Sequence, residues 1–226
     1  MFAAVLLTGC ASTKVSNREI LVTEKLPRPD TIWVYNFVSS ANEVPAYSPV
    51  VNQMAEPATP QTPEQIEAGH RVGAIAAEQL VEDINAMGMH AVQVTADAPI
   101  RGNDIVVRGY ILSLNEGSAT KRVTLGFGSG ASELGAAVEG FQMTPRGLRK
   151  LGSATLDSGG GKSPGAALGL AGLIATANPI GLIVSGGTKI YGEATGSAKI
   201  EGRAKAVAKE VAEQIKLRLQ QQGWIP

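Results

Sequence analysis

Glycines and charged residues are distributed unevenly along the 226 residues, and this uneven distribution restricts the folds that the chain can adopt. Eighteen of the 27 glycines lie between positions 126 and 196, about a third of the length. Residues 163–188 contain no charged side chain at all. Such a stretch differs from the flanking sequence, which mixes charged and apolar residues in the ordinary way. We therefore predict a glycine-rich, uncharged insertion at 159–188, helical or hairpin-like, within a globular domain.

Three glycines of this insertion have the spacing of a helix-packing face. Gly161, Gly165 and Gly169 stand four residues apart, which puts them on one side of a helix and lets a second helix approach closely. An Asn-Pro pair at 178–179 divides the uncharged run into pieces of about 14 and 9 residues, each short of the roughly 20 that span a bilayer. The insertion is thus expected to pack on the domain, to contact another subunit or to enter the membrane shallowly. The three glycines form its candidate packing or oligomer face.

The N-terminus has the features of an export signal that ends at the only cysteine. Residues 1–9 are apolar and uncharged, with small residues before the cysteine, as in a secretory signal. Leu7-Thr8-Gly9-Cys10 resembles the bacterial lipobox, in which diacylglycerol alkylates the cysteine thiol and the freed amine takes a third acyl chain. Several acyl chains together give stable anchoring. A basic n-region is missing, so we expect the natural start codon to lie upstream.

The residues after Cys10 predict where the anchored protein resides. Ala11 occupies the second position, where no aspartate stands. By resemblance to lipoprotein sorting in Gram-negative bacteria, this predicts an outer-membrane protein held on the periplasmic side by acyl chains such as palmitate. Residues 10–30 are predicted to form the lipidated cysteine and a polar tether. Residues 31–226 are predicted to form a single periplasmic domain.

The periodicity of apolar residues predicts a domain that contains both strands and helices. β-Branched, aromatic and alternating runs predict strands at 31–38, 90–94, 104–114, 121–127 and 133–143. Thr62 and Gln65 have the spacing of a capping box, which predicts a helix from Pro63 to Met87. Apolar residues at helical spacing predict a closing helix over 194–222. The expected fold is α/β (α+β), a small mixed sheet of about four to five strands packed with two long helices.

Charge and residue usage exclude several classes of function. Twenty basic residues balance 20 acidic ones, which argues against nucleic-acid binding. A single cysteine precludes an internal disulfide or a cysteine-based zinc site. His70 and His90 lack partners at metal-binding spacing. We therefore predict no metal, no cofactor and no small-molecule substrate.

Short matches to catalytic motifs fail on their spacing. Gly161-Lys162-Ser163 resembles the end of a phosphate-binding loop, but Leu156 stands where that motif needs glycine. The same residues resemble a nucleophile elbow, yet Pro164 lacks the N–H that would form the oxyanion hole. The glycines of 126–130 lack dinucleotide-binding spacing. The sequence predicts a protein that is not an enzyme.

Several segments carry a resemblance to a bacterial lipoprotein family. They are Val106–Ile111, Leu125–Leu134, Pro164–Ala167 and Gly223-Trp224, together with the lipobox. Over roughly 31–225, the chain resembles lipoproteins labelled domain of unknown function 4410. That family has no assigned biochemistry, so the resemblance implies only Cys10 as lipid acceptor. The element order is also similar, more weakly, to TolB amino-terminal and curli-secretion lipoprotein domains, which bind or assemble and in some cases form rings.

Three hypotheses follow for the function. The leading one is a non-enzymatic outer-membrane lipoprotein that acts in envelope assembly or protein–protein interaction, through a protein partner or self-association. The second is an oligomeric subunit of a secretion channel or pore, assembled through 163–188 or 121–143. The third is an unrecognised envelope enzyme, which would need His70 or His90 beside carboxylates in a cleft.

Overall fold

The computed structural model describes residues 13–52, 62–115, 133–159 and 197–226. These residues form a six-stranded mixed sheet and two long helices. The strands are β1 (Thr13–Ile20), β2 (Ile32–Tyr35), β3 (Ala91–Val94), β4 (Ile105–Asn115), β5 (Glu133–Thr144) and β6 (Gly147–Gly159), and the helices are α1 (Pro63–Ala86) and α2 (Ser197–Gln222). The predicted fold class is confirmed, with slightly more strands than expected.

Four predicted features lie outside the described residues. They are Cys10 with the signal, the strand at 121–127, the face formed by Gly161, Gly165 and Gly169, and the insertion at 159–188 except for Gly159, which ends β6.

The strand order is β1-β6-β5-β4-β2-β3. The first four strands pair antiparallel, whereas β4, β2 and β3 pair parallel. β5 and β6 form a hairpin in which Thr144 pairs with Gly147, a glycine with φ of +103°. Helix α1 connects β2 to its parallel neighbour β3, because parallel strands need a long crossover rather than a hairpin.

Helix α1 begins at the predicted capping box. The Thr62 hydroxyl accepts from the Gln65 backbone N–H at 3.3 Å, and the Gln65 side chain accepts from the Thr62 N–H at 2.8 Å. These two bonds satisfy N–H groups that the first helical turn leaves without a partner. The helix ends at Ala86, and Gly88 then adopts a φ of +85°, which glycine tolerates without strain.

Both helices pack on the same face of the sheet and enclose the main core. Helix α1 contacts β2, β3 and β4, while α2 contacts β1, β5 and β6. The apolar residues whose helical spacing predicts the closing helix form an apolar stripe on α2, and this stripe is its packing face. Ala204, Val207, Val211 and Leu219 are buried and Ile215 is half-buried against the same core. Apolar residues at alternate positions of the strands form the sheet side of this core.

The segment predicted as a polar tether contributes to the folded domain. Residues 13–20 form β1, and residues 22–28 lie along the end of α2. The Leu26 N–H donates to the Gln222 side chain at 2.7 Å, and the Trp224 indole donates to the Leu26 carbonyl at 3.3 Å. Arg28 donates to the backbone carbonyls of Trp224 and Gly88. The chain therefore joins the fold from Thr13 onward, well before the expected boundary at residue 31.

Both outer strands have features that discourage pairing with another chain. Edge strand β1 contains a bulge between Ser16 and Arg18, where Asn17 has a φ of +35°. At the other edge, the Asn85 side chain donates to the Ala91 carbonyl at 3.1 Å and accepts from its N–H at 2.9 Å. Bulges and covered backbone groups are common protections of sheet edges.

Two glycines allow the chain to cross between α1 and β4 after β2. A Cβ on Gly73 would lie 1.9 Å from the Phe37 carbonyl oxygen, and one on Gly109 would lie 2.2 Å from the Phe37 ring. The Phe37 N–H donates to the Gly73 carbonyl at 3.2 Å. Only residues without a side chain leave room for this backbone approach.

Gly73→Ala is expected to lower the free energy of unfolding by about 2–3 kcal/mol, because the added methyl overpacks a backbone contact. Gly202→Ala is the matched control, since it changes a glycine of α2 whose Cβ would meet nothing within 4 Å. That control should raise the free energy of unfolding by up to about 1 kcal/mol through helix propensity. Urea unfolding measures both. Equal stabilisation by the two changes would contradict the close approach at Phe37.

Candidate functional site

The candidate site lies on the sheet face opposite the helices. Residues 39–52, which include short 3₁₀ turns at Ala41–Glu43 and Pro49–Asn52, cross this face. Val44 and Val50 of this segment pack with Tyr110 of β4 and Ala137 of β5 in a second small core. Strands β4 and β5 are therefore covered on both faces where the segment crosses.

A carboxylate lies beneath this covering segment without any exposure to solvent. Glu139 is 0% exposed and accepts hydrogen bonds from the Ser48 hydroxyl at 2.6 Å and the Tyr110 hydroxyl at 2.9 Å, both at Oε2. Its Oε1 atom lies 2.9 Å from the Lys150 ammonium. A buried carboxylate is costly unless it is paired and hydrogen-bonded, and here both oxygens have partners. The group joins the covering segment to β4 and β6.

The protonation of Tyr110 suits its role as a donor. Burial raises the pKa of the Tyr110 hydroxyl, and the negative charge of Glu139 raises it further, although the hydrogen bond with Ser48 acts in the opposite direction. The hydroxyl therefore keeps its proton through neutral pH and continues to donate to the carboxylate.

Arg108 lies between two tyrosine rings beside this network. It stands opposite Glu139 in the β4–β5 pairing. Its guanidinium carbon is 3.9 Å from the centre of the Tyr35 ring and 5.9 Å from that of Tyr47. Its Nε atom is buried and has no hydrogen-bond partner among the described residues. Cation–π contact thus holds the side chain in one place.

Tyr47 is the member of this arrangement whose ring is largely exposed to solvent. Its side chain is 51% exposed, and its ring meets Phe141 edge-on at 5.6 Å between centroids. Tyrosine and arginine are enriched among the residues that contribute most to protein–protein binding. We call Tyr35, Tyr47 and Arg108 the tyrosine–arginine patch. Beneath this patch, both oxygens of Glu139 are already occupied by Ser48, Tyr110 and Lys150.

The histidines occupy exposed positions. His70 lies on α1 with its Nε2 2.9 Å from the Glu43 carboxylate, and both side chains are at least one-third exposed. Neither His70 nor Glu43 lines the cavity beneath α2 or the smaller cleft beside β1. His90 is exposed just before β3. Within the described ranges, no three His, Cys, Asp or Glu side chains are arranged to hold a metal.

Sequence reasoning did not select Arg108 or Glu139 as site residues. The available signal was a charged residue in the interior of each of two strands, with mostly apolar residues around it, which is informative because such positions are seldom charged. The partners Tyr47 and Ser48 come from a proline-rich loop whose path no local pattern predicts. Among the described helices, none has the length and apolarity required to cross a bilayer.

Comparison with known proteins gives one family match and a distant structural likeness. The family model described as domain of unknown function (DUF4410) matches residues 32–177. The PelC dodecamer from Paraburkholderia phytofirmans is 14% identical, with a TM-score of 0.34, and the match covers 76% of this chain and 98% of that one. A leucine-to-methionine variant of the same dodecamer is 17% identical, with the same coverage and TM-score. No curated protein matches the chain.

Glu139→Ala is expected to lower the free energy of unfolding by about 3–5 kcal/mol, because Lys150, Tyr110 and Ser48 lose their shared acceptor. Chemical denaturation measures the change. The control is Glu24→Ala, which removes an exposed carboxylate paired with Arg149 and should leave stability almost unchanged. Similar effects of the two substitutions would show that the buried network does not stabilise the fold.

Proposed function

Because this chain belongs to the family described as domain of unknown function (DUF4410), which names no activity, we propose its role from its own residues. The proposed protein is a non-enzymatic lipoprotein, anchored through Cys10 in the outer membrane on its periplasmic side. Its domain acts in envelope assembly or protein–protein interaction. The absence of catalysis is supported by Glu139, whose oxygens are both occupied, and by the open position of His70 and Glu43.

The anchor is supported by the lipobox and by where the fold begins. Cys10 precedes the first residue of β1 by three positions, a distance that an extended chain covers in about 10 Å. β1 pairs with β6 from Thr13 onward. An acylated Cys10 would therefore hold the sheet close to the membrane surface rather than on a long flexible tether.

The tyrosine–arginine patch is the observation that carries the contact role. Arg108 is held between two rings before any partner arrives, so little side-chain freedom is lost on binding. Tyr47 is half exposed and offers both an apolar ring and a hydroxyl. A partner with an apolar surface and a hydrogen-bond acceptor fits this chemistry.

The second candidate is an oligomeric subunit of a secretion channel or pore. It is favoured by the uncharged run at 163–188 and by the spacing of Gly161, Gly165 and Gly169. Since β1 is bulged and Asn85 occupies the Ala91 backbone groups at the start of β3, association through surfaces other than these strand edges is favoured.

Cys10→Ser is expected to move the protein from the membrane to the soluble periplasmic fraction, because the acyl acceptor is lost. Ala11→Asp should retain the acyl chains and shift the protein to the inner membrane. Fractionation on a density gradient measures both, and Ser12→Ala serves as a control that keeps the outer-membrane position. Retention of Cys10→Ser in the membrane would refute the anchor.

A photoreactive phenylalanine analogue in place of Tyr47 is expected to give one discrete cross-linked product in cells, because the patch contacts a partner. The same analogue at Ile66, which is 37% exposed on α1, is the control. Adding Arg108→Ala should reduce the yield several-fold. Identical products at both positions would contradict a specific contact.

The mass of the product separates the two candidates. A product of twice the chain mass that disappears on deletion of 163–188 would favour the oligomeric subunit. A product of another mass would favour a separate partner.

A further inference from the structure

An apolar cavity lies between the C-terminal half of α2 and the sheet. Its volume is about 170 Å³. The apolar stripe of α2 forms one wall with Val211, Ile215 and Leu219, and Ile105, Val138 and Leu156 form the other. The cavity lies on the opposite sheet face from the tyrosine–arginine patch.

The size and lining of the cavity suit an apolar guest. An enclosed cavity of about 150 Å³ with aliphatic walls binds small apolar molecules, and this cavity has similar walls but opens to solvent at its rim. Water gains few hydrogen bonds from such walls, whereas an aliphatic chain gains dispersion contacts along them. The cavity is therefore a place for hydrocarbon.

The rim of the cavity carries two positive charges. Gln214, Arg218 and Gln222 stand four residues apart on α2 and line its outer side. Arg18 lines it from β1 and pairs with Ala154, whose side chain packs against the helix-facing core.

Neither arginine is neutralised within the described part of the chain. Arg218 donates to the Val22 carbonyl and to the Gln221 side-chain oxygen, which are uncharged. Arg18 forms no ion pair with another described residue. The rim carboxylate Glu19 is instead engaged by Lys150 at 3.5 Å and by the Ser153 hydroxyl.

We propose that this cavity binds an aliphatic chain with an anionic headgroup. The hydrocarbon fills the apolar interior, and the headgroup accepts hydrogen bonds from Arg18 and Arg218 at the rim. Residues 163–188 of the same chain are a poorer occupant, because an uncharged segment would leave both arginines unneutralised. A free fatty acid and an anionic membrane lipid share the required chemistry. The inference does not depend on the anchor at Cys10.

Gly140 of β5 allows the interior to be tested. It lines the cavity, and a Cβ at this position would meet nothing within 4 Å. Gly140→Leu should therefore fill the space without a backbone clash. Arg18→Gln tests the rim. Lys14→Gln is its control, because it removes one positive charge from the same strand at a residue that pairs with Asp157 and does not line the cavity.

The experiment is calorimetric titration of the full chain carrying Cys10→Ser with decanoate and with decanol. Decanoate should bind more tightly than decanol, and Arg18→Gln should weaken decanoate about tenfold while changing decanol less than about twofold. Lys14→Gln should match the parent. Gly140→Leu should abolish binding of both ligands, and circular dichroism checks that it remains folded.

Four outcomes would overturn the proposal. They are no heat with decanoate, unchanged binding by Gly140→Leu, equal binding of decanoate and decanol, and binding that appears only after deletion of 163–188. The last would identify that segment as the occupant.

A second arm distinguishes the two sources of ligand. Flotation with phosphatidylglycerol vesicles, compared with phosphatidylcholine vesicles, tests a membrane lipid. Arg18-dependent binding to the anionic vesicles alone indicates a bilayer lipid, and binding to monomeric decanoate alone indicates a free acid. Both results support the shared chemistry.

Discussion

The packing of Phe37 between α1 and β4 determines how the parts of this domain meet. Gly73 and Gly109 leave room for its backbone and ring, and backbone bonds from Phe37 and Val38 join the chain to both elements. After this crossing the chain reaches the opposite face of the sheet. Residues 39–52, which include Tyr47, lie on that face because the chain crosses the sheet next to Phe37.

Once the segment is in place, a buried ion pair keeps it there. Ser48 and Tyr110 share one oxygen of Glu139, and Lys150 holds the other. Leaving a buried carboxylate without one of its partners costs more free energy than the pairing itself contributes. The network therefore fixes one arrangement of residues 39–52. That arrangement sets Tyr47 against Arg108 and creates the tyrosine–arginine patch.

The N-terminal segment links a membrane anchor at Cys10, as proposed, to the rest of the domain. β1 completes the sheet, and the residues after it are bonded to the end of α2 through Gln222 and Trp224. The same segment provides one side of the apolar cavity. The cavity and the tyrosine–arginine patch thus lie on opposite faces of one sheet, whose edge strand β1 begins three residues after Cys10.

Local chemistry in the sequence determined the elements that carry their own signals. The capping box at Thr62, the apolar stripe of α2 and the β-branched runs of β2 and β4 predict their structures because each depends on neighbouring residues. β1 is a polar edge strand and β6 is rich in glycine and serine, so neither shows the alternation of a half-buried strand. Only tertiary structure decided these strands, the Glu139 network and the cavity, since each exists through contacts between residues far apart in the chain.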